Sequence, residues 1–275
     1  VDDRRDARPR DGGALRHNDA MGEPPADLFL HALRGLGEIR AGDGLAALIG
    51  ASLARDGLSW RSGDVVVIAQ KAVSKAEGRF LDLGSVSPSP RALELATVTG
   101  KDPRLVEAIL AESSEVLRAR PNVLIVRHRL GYVMAQAGID RSNVPGTERV
   151  LLLPEDPDAS AERLRDALVA AAQVDLGVVV SDSFGRPWRL GTTNVALGAA
   201  GVPSLWDRRG ETDRNGRVLE VTQVAWADAV AAAAGLVMGE GAEGVPAVLV
   251  RGLGRPAAAR PARALLRPVD EDLFR

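Results

Sequence analysis

Asp64-Val65-Val66-Val67-Ile68-Ala69 runs directly into Gln70-Lys71-Ala72-Val73-Ser74-Lys75. The first six residues predict a strand. Four consecutive β-branched residues without polar alternation suit a strand covered on both faces, since a half-exposed strand would alternate. The six that follow place two lysines four residues apart just beyond the strand's end. Lysine occurs elsewhere only at Lys101, in a chain whose other basic residues are all arginine. An ammonium on a flexible stem suits point-charge contact with phosphate oxygens, which a broad guanidinium meets differently. The alternative is a solvated face on which the lysines have no partner.

Four further runs share the strand character: Leu176–Ser181 (LGVVVS), Ala247–Val250 (AVLV), Val123–Val126 (VLIV) and Val150–Leu153 (VLLL). Helical patterns lie between them at Leu45–Arg55, Pro103–Arg118, Ala161–Ala172 and Val224–Met238. Pro103 is acceptable in a first turn, and Asp158 or Ser160 can cap the third helix. Strands and helices thus interleave at irregular intervals, without an internal repeat, which predicts a mixed α/β or α+β arrangement. Phe184–Gly216 is rich in Gly, Arg and Asp and lacks periodicity, so it is expected as a long functional or mobile loop. Residues 1–26 read as a disordered tail and 255–275 as a Pro/Arg/Ala linker with a short amphipathic extension. This leaves 27–254 as the main domain.

A net charge of -2 over 275 residues argues against nucleic acid as the principal partner. The absence of cysteine excludes disulfides, thiolate metal sites and cysteine nucleophiles. No window holds the roughly 18 apolar residues needed to cross a bilayer. The longest candidate, Val224–Met238, is too short and contains Asp228. The N-terminal stretch has no apolar run of signal-peptide length, so the expectation is a cytoplasmic protein without membrane contact.

Gly239-Glu240-Gly241-Ala242-Glu243-Gly244 fits G-x-G-x-x-G by letter. A dinucleotide fingerprint requires a strand before it and a helix after it, and here the order is reversed. The expected reading is a helix end at Gly239 followed by a turn whose uncovered N–H groups can hold phosphate, with Glu240 available to a metal. There is no Walker A sequence. Asp182 and Ser183 follow one strand and Asp140 lies beyond another; such carboxylate and hydroxyl oxygens suit magnesium or manganese, although an aspartate after a strand is also an ordinary turn residue. His17, His31 and His128 show no catalytic spacing.

Four stretches together carry a more specific signal: Gly63–Arg79 (GDVVVIAQKAVSKAEGR), Ala137–Gly146 (AGIDRSNVPG), Val178–Gly201 (VVVSDSFGRPWRLGTTNVALGAAG) and Leu236–Gly254 (LVMGEGAEGVPAVLVRGLG). In this order they resemble the coenzyme F-420:L-glutamate ligases (gamma-glutamyl ligases), over about Leu28 to Gly254. The resemblance implies a mixed α+β fold and an intertwined homodimer. It implies GTP-dependent addition of L-glutamate, in some members more than one, to the deazaflavin F-420-0 through an acyl phosphate, with release of GDP and phosphate. Mg2+ or Mn2+ and K+ would assist. By the same resemblance Asp140, Asp182, Ser183 and Glu240 would bind metal, and Lys71, Lys75 and Asp182 would be catalytic. GTP would contact Leu36, Gly37, Glu38, Ile39, Gln70, Lys71, Lys75, Asn143 and the loop Met238, Gly239, Glu240, Gly241, Ala242, Glu243, Gly244, Val245. Relatives with a second, flavin-binding domain after the ligase match the terminal LLRPVDEDLFR as a junction. The competing readings are another metal-dependent nucleotide phosphotransferase and a non-catalytic deazaflavin-binding module. Glutamate-dependent GDP release separates the ligase from both.

Overall fold

The structure, a computed structural model, describes residues 27–142 and 146–272; the expected tail at 1–26 and the candidate Asn143 lie outside the described residues. The strands are β1 (Phe29–Leu33), β2 (Val65–Ala69), β3 (Phe80–Asp82), β4 (Ser113–Arg120), β5 (Val123–His128), β6 (Val133–Ala135), β7 (Arg149–Leu151), β8 (Gly177–Arg186), β9 (Arg189–Ala200), β10 (Leu205–Asp207), β11 (Gln223–Ala225) and β12 (Ala247–Arg251). The α-helices are α1 (Leu45–Arg55), α2 (Gln70–Ala76), α3 (Pro90–Thr99), α4 (Pro103–Ala111), α5 (Pro157–Ala172) and α6 (Trp226–Met238).

The central sheet has the order β1-β12-β2-β8-β9. Only β2 and β8 run parallel; every other neighbour pair is antiparallel. This is the α+β class expected. Alternate residues of β2 face opposite layers. Val66 and Ile68 pack with Val178, Val180 and Leu249 against Ile49 and Leu53 of α1 and Leu164 and Leu168 of α5. Val65 and Val67 pack with Val179, Val248 and Val250 against Trp226, Val230 and Ala234 of α6. Covering on both sides is why β2 carries no polar residue. The runs at Val123 and Val150 go elsewhere. β5 is the middle strand of the β4-β5-β6 sheet and β7 pairs with β3. A separate core joins Leu95, Val106 and Ile109 of α3 and α4 to Leu124 and Val126 of β5.

Three expectations are corrected. The helix expected over Pro103–Arg118 ends at Ala111, and β4 follows in its place. Ser113 Oγ donates to the Ile109 carbonyl at 2.5 Å and β4 then finds β5, so strand pairing overrides a locally acceptable helix. The first half of the expected loop Phe184–Gly216 is the end of β8 and all of β9, paired from Val178–Ala200 to Arg186–Arg189, while Gly201–Gly216 is irregular apart from β10. The backbone bonds of the first half come from that hairpin ladder, so a mixed composition did not prevent strand formation. Finally, α5 begins at Pro157, capped by Asp156 accepting from Ala159 N–H at 3.0 Å. Asp158 is not the cap; it accepts from the N–H groups of Ala199 and Ala262 at 2.9 and 2.6 Å. The latter contact ties residues 255–272 back to the fold: Ala262 is fully buried, and Ser204 Oγ donates to the Pro261 carbonyl at 2.7 Å.

Candidate functional site

β2 ends at Ala69 beside Ser181 and α2 leaves from that end, while β8 runs on past it through Asp182 and Ser183. The loop between α6 and β12 closes over them. A cleft of about 440 Å³ results, lined by α2, the end of β8, the turn at Gly37–Ile39 and the glycine loop from Met238 to Pro246. Segments separated by most of the chain therefore meet there, in the crevice beyond strand C-terminal ends where open α/β sheets commonly bind ligands.

Lys71 and Lys75 lie one turn apart on α2 and both line the cleft. Their surroundings differ. Lys71 Nζ pairs with Asp140 and donates to Ser142 Oγ at 2.9 Å. Among the described residues Lys75 has no hydrogen-bonding or charged partner. Gln70 is buried, and its side-chain oxygen accepts from Ser74 Oγ at 3.0 Å.

Asp182 lies at the cleft with only partial exposure. Burial pushes its carboxyl up to about 7; the Ser183 N–H and Lys71 pull it down, while Asp140 and Glu240 raise it further. Those two carboxylates are therefore within electrostatic reach of it. Burial also raises Asp140, but Lys71 and Ser142 hold it below the ordinary carboxylate range. Among the described residues no three His, Cys, Asp or Glu side chains already stand together as a metal group. The donor set nevertheless fits a hard cation. Its oxygens are carboxylate and hydroxyl, and burial makes the ionised form of Asp182 costly, which a cation would offset.

The reversed glycine motif is a helix-to-strand loop, as its order required: α6 ends at Gly239, whose N–H donates to the Gly235 carbonyl at 3.1 Å. Not all of its N–H groups are uncovered, because Gly241 N–H donates to Glu243 Oε2 at 2.7 Å. Gly239 has φ +73° and ψ 175°, a backbone conformation that favours glycine.

Gly37, Glu38, Ile39, Gln70, Lys71, Lys75, Asp182, Ser183 and the run Met238–Val245 thus share one cleft. Leu36 does not line it and belongs to the core beneath α1. Asp140 stands behind Lys71 and outside the lining. Two polar lining residues, Ser181 and Asn194, were not anticipated. Ser181 closes an apolar strand, and Asn194 lies in the stretch expected as a loop; neither carries a local signal. The histidines stay outside the cleft: His31 meets Asp56 at 2.8 Å, and the buried His128 accepts from Leu130 N–H at 3.0 Å; His17 lies outside the described residues.

Comparison with known proteins bears on what this cleft serves. The family described as F420-0:Gamma-glutamyl ligase matches residues 35–252. A protein of Methanothermobacter thermautotrophicus named coenzyme F420:L-glutamate ligase is 48% identical over 250 residues, spanning 90% of this chain and 99% of the relative. One of the same name from Methanopyrus kandleri is 48% identical over 242 residues, spanning 86% of this chain and 94% of the relative. A third, from Natronomonas pharaonis, is 51% identical over 226 residues, spanning 80% and 84%.

Proposed function

Because the chain belongs to the F420-0:gamma-glutamyl ligase family, we propose that it is a carbon–nitrogen ligase that joins L-glutamate to F420-0 at the expense of GTP. The observation that supports this reading is one cleft in which the ammonium of Lys75, unpaired among the described residues, the partly buried carboxyl of Asp182 and a glycine loop come together. Phosphoryl transfer asks little covalent chemistry of a protein and much charge neutralisation and positioning, which is what this set of groups can supply.

In the proposed reaction a carboxylate oxygen of F420-0 attacks the γ-phosphorus and the bond to the β–γ bridging oxygen breaks, giving an acyl phosphate and GDP. The amine of glutamate then attacks the acyl carbon, the carbon–oxygen bond to phosphate breaks, and the amine loses its proton. Lys75 would meet phosphate oxygens directly. Lys71 would keep Asp140 ionised, and Gly37–Ile39 with Met238–Val245 would line the nucleotide. Asp140, Asp182, Ser183 and Glu240 would hold Mg2+ or Mn2+, which when bound supplies positive charge to the phosphates; K+ belongs to the same expectation, with no residue assigned to it. The proposed assembly is a homodimer. The β8–β9 hairpin favours it, carrying Trp188 and Leu190 at 90% and 98% exposure, an apolar pair that a second copy would cover.

The test is GTP turnover in the presence of manganese, with F420-0 and glutamate supplied separately and together, and the product weighed by mass spectrometry. GDP release should require both co-substrates, and the product should gain one or more glutamate residues. Equal GTP turnover without glutamate would instead favour a phosphotransferase.

A further inference from the structure

Two polar side chains of the cleft have no adequate partner. Ser181 is 1% exposed and its hydroxyl makes no hydrogen bond among the described residues. Asn194 is 8% exposed, and its carboxamide makes a single bond, from Nδ2 to the thioether of Met238 at 3.8 Å. A carboxamide offers two donors and a two-lone-pair acceptor, and a thioether is a weak acceptor, so most of this capacity is unspent. Buried polar groups are rarely left so, and one facing a cleft calls for a ligand.

Both side chains enter from the same side. Ser183 pairs with Asn194 and Ser181 with Ala196 across β8 and β9, and paired residues share a face. That face is the α6 side, since Val179 and Ala196 pack there. Lys71 and Lys75 come from α2, whose Ala72 and Val73 pack on the opposite face. The space is reserved for Asn194 as well. A Cβ on Gly235 of α6 would lie 2.9 Å from Asn194 Oδ1, so the helix carries a glycine in its interior despite the cost to helix stability.

We propose that Asn194 and Ser181 are nucleotide-positioning residues, donating hydrogen bonds to the nonbridging phosphate oxygens of the bound nucleoside triphosphate from the wall facing the two lysines. This rests on the GTP-dependent reading above. Uncharged donors fix the orientation of the phosphate chain on the side where α6 closes the cleft, while the lysines supply charge on the other.

The experiment is calorimetric titration of GTP with Mn2+ into the parent, Ser181→Ala, Asn194→Leu and Asn194→Asp, beside the melting temperature of each ligand-free protein. Each loss of a donor to a charged oxygen should weaken GTP binding about tenfold. Ser181→Ala should not lower the melting temperature, since it removes a buried hydroxyl that bonds to nothing. Asn194→Asp should bind worse than Asn194→Leu, because it sets a negative charge against phosphate. A residue there only for packing would give the reverse order, with the isosteric aspartate nearer the parent. Unchanged affinity in Ser181→Ala and Asn194→Leu while the parent binds GTP overturns the proposal alone, and so does a loss confined to the KM of F420-0. A parent that binds no GTP overturns both this proposal and the nucleotide reading.

Discussion

Asp182 holds a carboxyl where its charge is least stable, at about 7 in the folded protein against 3.8 in an unfolded chain. A carboxyl raised in this way contributes stability that is full below about pH 4 and is lost as pH rises through about 7. Three pKa units set an upper bound of about 4 kcal/mol, and the partial solvent contact of Asp182 reduces it. Asp182→Asn removes the titration. In urea denaturation without metal, the variant should exceed the parent's stability at pH 8 and the gap should close towards pH 5, while turnover is lost. Identical pH profiles for the two proteins would mean that Asp182 carries no such strain. Lys75 offers a second test. Arginine there should raise the KM of GTP or lower turnover about tenfold or more, because a charge-assisted contact is worth about 1.5–3 kcal/mol and the guanidinium is too broad to replace it. Lys101→Arg, outside the cleft, should match the parent; equal kinetics for both variants would leave Lys75 a surface lysine.

The hairpin β8–β9 is the element that builds the site's floor, and its register changes within it. Val180 pairs with Gly198 but Ser181 pairs with Ala196, so Leu197 is the extra residue of a bulge. The Leu197 carbonyl accepts the Tyr132 hydroxyl at 2.5 Å, and burial drives that phenol well above its ordinary range. Beside the bulge, Gly198 lies against the start of α5. A Cβ would come within 2.0 Å of the Pro157 carbonyl oxygen, which is backbone and cannot rotate away. Gly198→Ala should therefore cost about 1–3 kcal/mol or more by chemical denaturation. Gly50→Ala, in α1 with open space around the added methyl, should stabilise by about 0.5–1 kcal/mol. A Gly198→Ala protein as stable as the parent would show that α5 can shift away from β9.

At the scale of the molecule, the exposed end of this hairpin bears on the proposed homodimer. Trp188 and Leu190 are nearly fully exposed on an arm that continues from the cleft-lining Asp182 and Ser183. If two copies bury these side chains, sedimentation should show a dimer at micromolar concentration, and the double substitution Trp188→Ser, Leu190→Ser should shift it to monomer. A dimer unaffected by the pair would place the interface elsewhere. The same arm joins β8 and β9 to the cleft, so a dimer formed through it would couple assembly to the geometry at Asp182.

The sequence by itself determined three of the five central strands (β2, β12 and the first half of β8), the exact span of α1 and the reversed order around Gly239, because these depend on local signals. An unbroken β-branched run, an 11-residue apolar period and a glycine after a helix each read within a few neighbours. It also marked Lys71, Lys75, Asp182 and the glycine loop as chemistry-bearing, through residue choice and through the resemblance of the motifs around them. Only the tertiary structure decided that Ser113–Arg120 pairs with β5, that Phe184–Arg186 and Arg189–Ala200 extend the main sheet, and that Asp156 rather than Asp158 caps α5. It alone divided the two lysines into one spent on Asp140 and one without a partner among the described residues, and brought Ser181 and Asn194 to the cleft wall. Strand pairing, bulges, ion pairs and desolvation all depend on which distant segments meet, and that information is absent from any short window of the chain.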